Sequence, residues 1–116
     1  MFDFEKLDVY QLTKEQNVKV LTYLTGAVGI DPYMLDQWKR ASLSSLLNLA
    51  EATGRMTESD KRQFLTISRG SIFEAVAILD LLKSMNIVAE NVYKEFYAAY
   101  EQISKMLLGM YRSYSK

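Results

Sequence analysis

The sequence of 116 residues contains no cysteine and no histidine, only one proline and five glycines. Without cysteine and histidine, the chain cannot build disulfides, thiol nucleophiles, zinc fingers or histidine acid–base sites. A carboxylate metal site in a helical bundle would need Glu-x-x-His pairs, which are also excluded. We therefore expect no catalytic residue, no metal and no cofactor, and we predict that the protein is not an enzyme. The missing cysteine also suits the reducing cytoplasm, which is the expected location.

An excess of charge of either sign is missing as well. Lys+Arg and Asp+Glu are 14 each, so the net charge is zero, and a chain that binds nucleic acid without selectivity usually has a basic excess. Long apolar runs are also lacking, and we expect no transmembrane helix and no membrane partner. The 49% hydrophobic content is typical of a globular domain with a real core.

Apolar residues recur with the 3.6-residue period of an α-helix through four segments, and no segment has the period of a strand. The predicted helices are Asp8 to about Val28, Pro32 to about Thr53, a segment capped by Thr57 that ends near Met85, and Glu90 to about Tyr114. The connections are short, which favours antiparallel neighbours. The sequence therefore predicts one all-α domain over residues 1–116, an antiparallel up-down-up-down four-helix bundle.

Local signals mark the ends of these helices. Asp31 before Pro32 is a typical start, and Thr57 is a second one. We expect Gly29 to end helix 1, and Gly54 to end helix 2 in the left-handed conformation. Asn86 is the expected cap at the end of helix 3.

Helix 3 has more apolar residues than one buried stripe requires. Phe73 and Leu81 lie outside its main apolar arc, and such residues indicate burial on a second side or isolated surface hydrophobes. Helix 4 adds four tyrosines, a residue type that interfaces favour, at Tyr93, Tyr97, Tyr111 and Tyr114. We therefore expect a subunit interface and a homo-oligomer.

A line of polar residues follows helix 2, within about 80° on a helical wheel. Its members are Gln37, Arg40, Ser44, Asn48, Glu51 and Arg55. By spacing alone this is a solvated face with an exposed Glu51–Arg55 pair. Arg69 differs, because its helical neighbours are apolar, so it must reach water or a carboxylate, either Glu74 or Glu51. Gly70 and the two serines of the segment "SRGS", Ser68 and Ser71, lower helix propensity, which a close helix–helix approach would offset.

The segments "FEKLDVYQ", "QWKRASLSSLLNLAEATGR", "FLTISRGSIFEA" and "ISKMLLGMYRSY" together resemble a bacterial family. This family was first noticed as reading frames in the intervening sequences of 23S rRNA genes and is also labelled S23 ribosomal protein. The family pattern, Asn-Ile-Ala-Glu-Gly-x-Gly-Arg, a Phe, then Ala-Arg-Gly-Ser-x-x-Glu, is matched at ten positions. These are Asn48, Ala50, Glu51, Gly54, Arg55, Phe64, Arg69, Gly70, Ser71 and Glu74. Leu46 stands where a Pro is usual, which implies a more regular helix 2, and Ala52 stands where a Gly is usual, which makes a very close approach at that point harder.

The resemblance implies a non-enzymatic bundle that assembles into a ring-like homopentamer. It also implies an accessory or adaptor role with structured RNA or a ribonucleoprotein. Similar proteins are the accessory variability proteins of diversity-generating retroelements, which work with a reverse transcriptase, so binding a reverse transcriptase is one alternative. A protein-only scaffold is another, and a small-molecule or catalytic site in the oligomer's central cavity is a third.

Two sets of site residues follow from this comparison. The family pattern turns Asn48, Glu51, Arg55, Arg69 and Glu74 into a predicted polar cluster near a helix–helix or subunit contact, with a solvated face and a ligand or RNA site as alternatives. Nucleic acid would have to be bound by cations gathered on one face of the ring. The candidates are Lys39, Arg40, Arg55, Lys105, Arg112 and Lys116.

Overall fold

The computed structural model describes residues 1–114, and this part of the chain contains helices and no strand. A short 3-10 helix, Asp3–Lys6, precedes four α-helices. These are α1 (Asp8–Gly26), α2 (Pro32–Gly54), α3 (Glu58–Ser84) and α4 (Glu90–Ser113). The prediction of an all-α chain with four helices is thus confirmed, whereas the 3-10 helix was not predicted.

The starts of α2 and α3 follow the predicted capping signals. The Asp31 carboxylate accepts hydrogen bonds from the backbone N–H groups of Tyr33 and Met34 at 3.0 and 3.2 Å, directly before Pro32. The Thr57 hydroxyl accepts one from the N–H of Asp60 at 3.1 Å. Each cap satisfies N–H groups that have no partner within their own helix.

The ends of the helices agree with only one of three predictions. Asn86 has a positive φ of 60°, its N–H donates to the carbonyl of Lys83, and the N–H of Ile87 donates to that of Leu82. This is the Schellman arrangement, as expected for Asn86. Gly54 is not left-handed: it is the last residue of α2, and the extended Arg55 follows it. Gly29, with φ of 85°, lies in the connection, because α1 already ends at Gly26.

The four helices form a bundle-like unit of 44 × 26 × 22 Å around one core. Each helix packs against its neighbours in sequence, α1 also packs against α4, and the contact between α2 and α3 is the most extensive. Trp38 and Tyr100 lie at the centre, where the indole N–H donates to the Tyr100 hydroxyl at 3.0 Å. Phe96 packs edge-on against Trp38, with ring centroids 6.1 Å apart.

Three polar side chains of α1 lie in the core. The Thr13 hydroxyl donates to the carbonyl of Val9 and the Asn17 amide to that of Thr13, so both bond within α1. The Gln16 amide donates to the carbonyl of Phe96 on α4 at 3.0 Å. The helical-wheel analysis did not identify these residues as buried, because it ranks positions by apolarity.

Candidate functional site

Serine side chains join the polar line of α2 to α3. The Ser68 hydroxyl donates to the backbone carbonyl of Ser45 at 2.6 Å, and the Ser71 hydroxyl donates to the side-chain hydroxyl oxygen of Ser44 at 2.8 Å. The Asn48 amide donates to the carbonyl and hydroxyl oxygens of Ser44, at 2.9 and 3.0 Å. Ser68 and Ser71 of "SRGS" thus take part in the contact with α2, whereas a β-carbon on Gly70 would meet no atom within 4 Å, so the close approach expected there is not found. Asn48 is therefore linked to the α2–α3 contact only through Ser44, a residue of its own helix.

Glu51 and Arg55 form the pair that their spacing predicts, on a half-exposed surface. The Arg55 Nε lies 3.6 Å from a Glu51 carboxylate oxygen, which is an ion pair but too long for a hydrogen bond, and this Nε has no hydrogen-bond partner. The guanidinium lies over the ring of Phe64 at 4.2 Å. An exposed ion pair contributes little to stability. The cation–π contact with Phe64 of α3 is therefore the interaction of the Arg55 guanidinium that contributes most to stability.

Arg69 is turned away from both of its predicted partners. Its Nε donates to the backbone carbonyl of Ser104 on α4 at 3.0 Å, and its guanidinium lies 4.8 Å from the centre of the Phe73 ring. No ion pair joins it to Glu51 or Glu74 within residues 1–114. Glu74 is exposed, and its carboxylate has no ion pair or hydrogen bond in the same range. The prediction of a carboxylate partner for Arg69 is therefore wrong, because a carbonyl from another helix satisfies it.

The five residues of the predicted cluster consequently occupy two different contacts and one free position. Arg55 contacts Phe64 of α3, with Glu51 beside it, whereas Asn48 bonds to Ser44 on its own helix. Arg69 joins α3 to α4, and Glu74 points outward from α3. The structure does not join these five side chains in one network.

Basic side chains gather at the amino end of α3. The Lys61 ammonium donates to the carbonyls of Ala52 and Thr53, at 3.5 and 3.2 Å, where α2 ends. Arg62 donates to the carbonyl of Tyr114, where α4 ends. Cations at these positions complement the negative ends of two helix dipoles. Lys61 and Arg62 were not among the predicted candidates, because their partners come from other helices.

The predicted nucleic-acid contacts divide between the two ends of the molecule. Arg55 and Arg112 lie close to the ends of α2 and α4 that Lys61 and Arg62 cap. Lys105 lies seven residues before Arg112 on the same face of α4. Lys39 and Arg40 lie 15 residues or more before Arg55, or roughly 22 Å along α2 at 1.5 Å per residue. Lys116 lies outside the described residues.

The exposed apolar residues expected on α3 are present. Phe73 and Leu81 are both more than half exposed, and α2 adds Leu43 and Leu47. Of the four tyrosines expected at an interface, Tyr97 is exposed, and Tyr93, Tyr111 and Tyr114 are half-buried. The helix period predicts that Leu47 is buried together with Leu46, Leu49 and Ala50, which is wrong for Leu47, and Leu43 was not identified from the sequence.

Two clefts run between α3 and α4 on either side of the Phe73 ring, with volumes of about 360 and 250 Å³. Each has one charged residue in its lining, Arg69 in the larger and Glu101 in the smaller.

Burial raises the pKa of Tyr100 above its ordinary value of 10.0, and hydrogen bonds with Ser42 and Trp38 partly oppose this shift. Within residues 1–114, no cluster of three acidic residues is placed to hold a metal ion.

Comparisons with known proteins place this geometry in context. A sequence model of the 23S rRNA-intervening sequence proteins matches residues 5–109. The crystal structure of a protein of unknown function from the S23 ribosomal protein family of Bacteroides thetaiotaomicron VPI-5482 superimposes with a TM-score of 0.84. The two sequences are 21% identical, and the match covers 89% of this chain and 97% of that one, so the likeness shows the fold. No curated protein matches the sequence.

Among residues 1–114, no helix is long and apolar enough to cross a membrane.

Proposed function

Because the chain belongs to the 23S rRNA-intervening sequence protein family, we propose that it is a homo-oligomeric, non-enzymatic accessory protein of structured RNA or a ribonucleoprotein. The proposal locates it in the cytoplasm, which suits a chain without cysteine. The lack of histidine and cysteine supports the non-enzymatic role, because it removes the commonest general base and nucleophile.

One observation on α4 carries the proposal. Lys105 and Arg112 are exposed, they share a face two turns apart, and neither side chain has an ion pair or hydrogen bond within residues 1–114. The other cations at this end, Arg55, Lys61 and Arg62, are already engaged with an acid, a ring or carbonyl groups. Lys105 and Arg112 are therefore the cations there that are free to contact phosphate groups.

Assembly supplies the charge density that one chain lacks. We propose an antiparallel up-down-up-down bundle, supported by the contacts of Lys61 and Arg62 with the ends of both neighbouring helices and by the short connections. Copies around a rotation axis, five in the homopentamer that we propose, repeat the Lys105–Arg112 pair on one side of a ring. A chain with zero net charge would then present a local cationic surface.

A titration of structured RNA at several salt concentrations tests this role. The variant Lys105→Gln/Arg112→Gln removes the proposed contacts, and Lys6→Gln/Lys14→Gln removes the same charge from exposed positions elsewhere. We expect the wild type and the control to bind with a steep salt dependence. The first variant should bind more weakly, and its log–log salt slope should be smaller by about 0.7–0.9 per lost phosphate contact.

An intact oligomer that does not bind RNA even at low salt would contradict this role. Equal weakening by both variants would mean that net charge matters and that the Lys105–Arg112 pair does not. An absence of RNA binding at low salt would favour a second candidate function, a scaffold that binds only proteins. A reverse transcriptase is one such protein partner. The zero net charge and the exposed apolar residues of α3 support that candidate.

A further inference from the structure

Two apolar patches lie exposed on neighbouring helices. The α2 patch consists of Lys39, Leu43 and Leu47, and its leucines are 48% and 55% exposed. The α3 patch consists of Gly70, Phe73, Ala77, Asp80 and Leu81, with Phe73 at 55% and Leu81 at 51%. Large side chains this exposed, repeated along one side of a helix, mark a surface that another molecule covers.

The helix surface at Gly70, at one end of the α3 patch, is open. Gly70 lies in the middle of α3 with no positive φ, and a β-carbon placed on it would meet no other atom within 4 Å. Glycine destabilises a helix interior relative to alanine. Within one chain, neither the backbone conformation nor close packing requires this glycine.

The two patches also differ in charge. Lys39 is exposed and has no ion pair within residues 1–114, whereas its neighbour Arg40 is neutralised by Asp36 at 2.7 Å. On α3, Asp80 is exposed and likewise has no ion pair in the described range, and neither does Glu74. A contact between two α3 patches would bring like charges together, whereas a contact between an α2 patch and an α3 patch brings opposite charges together.

We propose that the α2 patch of one copy packs on the α3 patch of a second copy. This inference rests on the homo-oligomer of the proposed function and names its interface. In an antiparallel contact, Lys39 beside Asp80 places Leu43 near Ala77 and Leu47 near Phe73 and Gly70, because every residue advances both helices by about 1.5 Å. The two patches are different surfaces of one chain, so the contact is heterologous. Repetition of such a contact closes a ring when the rotation between copies divides a full turn, as in the pentamer that we propose.

Two glycines provide a matched test of the α3 patch. Gly70→Leu and Gly109→Leu both add a side chain to an exposed helical position that is open within the chain. We expect both variants to keep the helical circular dichroism of the wild type. Gly70→Leu should lower the oligomer mass measured by light scattering, whereas Gly109→Leu on α4 should leave that mass unchanged. An unchanged mass for Gly70→Leu would overturn the proposed interface.

Single cysteines then test which patch meets which, because the chain has no cysteine of its own. Leu47→Cys and Phe73→Cys chains of different tag length are refolded separately and as a mixture, and then oxidised. We expect disulfide-linked pairs of the two variants in the mixture and no linked pairs from either alone. Linked pairs from Phe73→Cys alone would show an α3–α3 contact, and a mixture that assembles without linking would also overturn the proposal. A wild-type protein of monomer mass would instead contradict the homo-oligomer itself.

Discussion

The contact of Arg69 with α4 can be removed by one substitution, Arg69→Ala. The change deletes the hydrogen bond to the Ser104 carbonyl and the stacking of the guanidinium on Phe73. It leaves no buried carboxylate unpaired, because no acidic group contacts Arg69 within residues 1–114. Breaking a buried ion pair costs about 3–5 kcal/mol, and the expected loss of stability for Arg69→Ala is therefore smaller than this.

The two lost contacts set the size of the effect. A hydrogen bond to a charged donor contributes about 1.5–3 kcal/mol, and the lower end applies because the Ser104 carbonyl keeps its helical hydrogen bond. The half-exposed cation–π contact adds about 0.5–1 kcal/mol. We expect Arg69→Ala to lower the free energy of unfolding by about 1.5–2.5 kcal/mol, whereas Lys105→Ala, which removes an exposed cation without a partner, should change it by less than about 0.5 kcal/mol.

Urea denaturation followed by circular dichroism measures both variants, at one protein concentration so that assembly affects them equally. Arg69→Lys keeps the charge but not the planar guanidinium. We therefore expect its free energy of unfolding to lie between those of the wild type and of Arg69→Ala. If Arg69→Ala lost less than about 0.5 kcal/mol, the α4 contact would contribute nothing, and if it lost more than about 4 kcal/mol, a buried ion pair would exist after all.

Two further substitutions test the core and one helix start. Tyr100→Phe leaves the buried Trp38 N–H without its acceptor, so we expect a loss of about 1–3 kcal/mol in the same assay. Because burial raises the pKa of Tyr100 above 10.0, its neutral form is the one that stabilises the fold. That contribution is complete below pH 10.0 and is lost as the pH rises above it, so the stability gap between wild type and Tyr100→Phe should narrow there. A gap that does not change with pH would contradict this assignment. Asp31→Ala removes the cap of α2 and should cost about 1 kcal/mol, and Asp31→Asn much less, whereas equal losses would show that the negative charge matters more than the hydrogen bonds.

The helix boundaries were predictable where a local signal determines them. Asp31 and Thr57 cap the N–H groups two or three residues after them, and Asn86 closes the carboxyl end of α3 with bonds to the preceding turn. All these contacts are near in sequence. Gly54 was predicted incorrectly: it stays helical as the last residue of α2, and the three-residue connection to α3 begins with the extended Arg55.

The predicted contacts of the site residues were wrong where the true partner lies on another helix. The apolar neighbours of Arg69 correctly indicated a half-buried cation, but the sequence could not show that a carbonyl 35 positions away would satisfy it. Gln16 is a similar case, because its buried amide bonds to a carbonyl 80 positions away. Phe73 and Leu81 were identified as lying outside the main apolar arc because the helix period alone is enough to show this.

Light scattering of the wild-type chain at micromolar concentration tests most directly whether the bundle works as a repeated unit. We predict a stable oligomer, five subunits of 13.4 kDa each for the proposed pentamer. Such a mass would be consistent with apolar patches of α2 and α3 that are covered and with Lys105 and Arg112 repeated around a ring. A mass of 13.4 kDa across the concentration range would contradict it, because a single chain with zero net charge would neither cover those patches nor gather those cations.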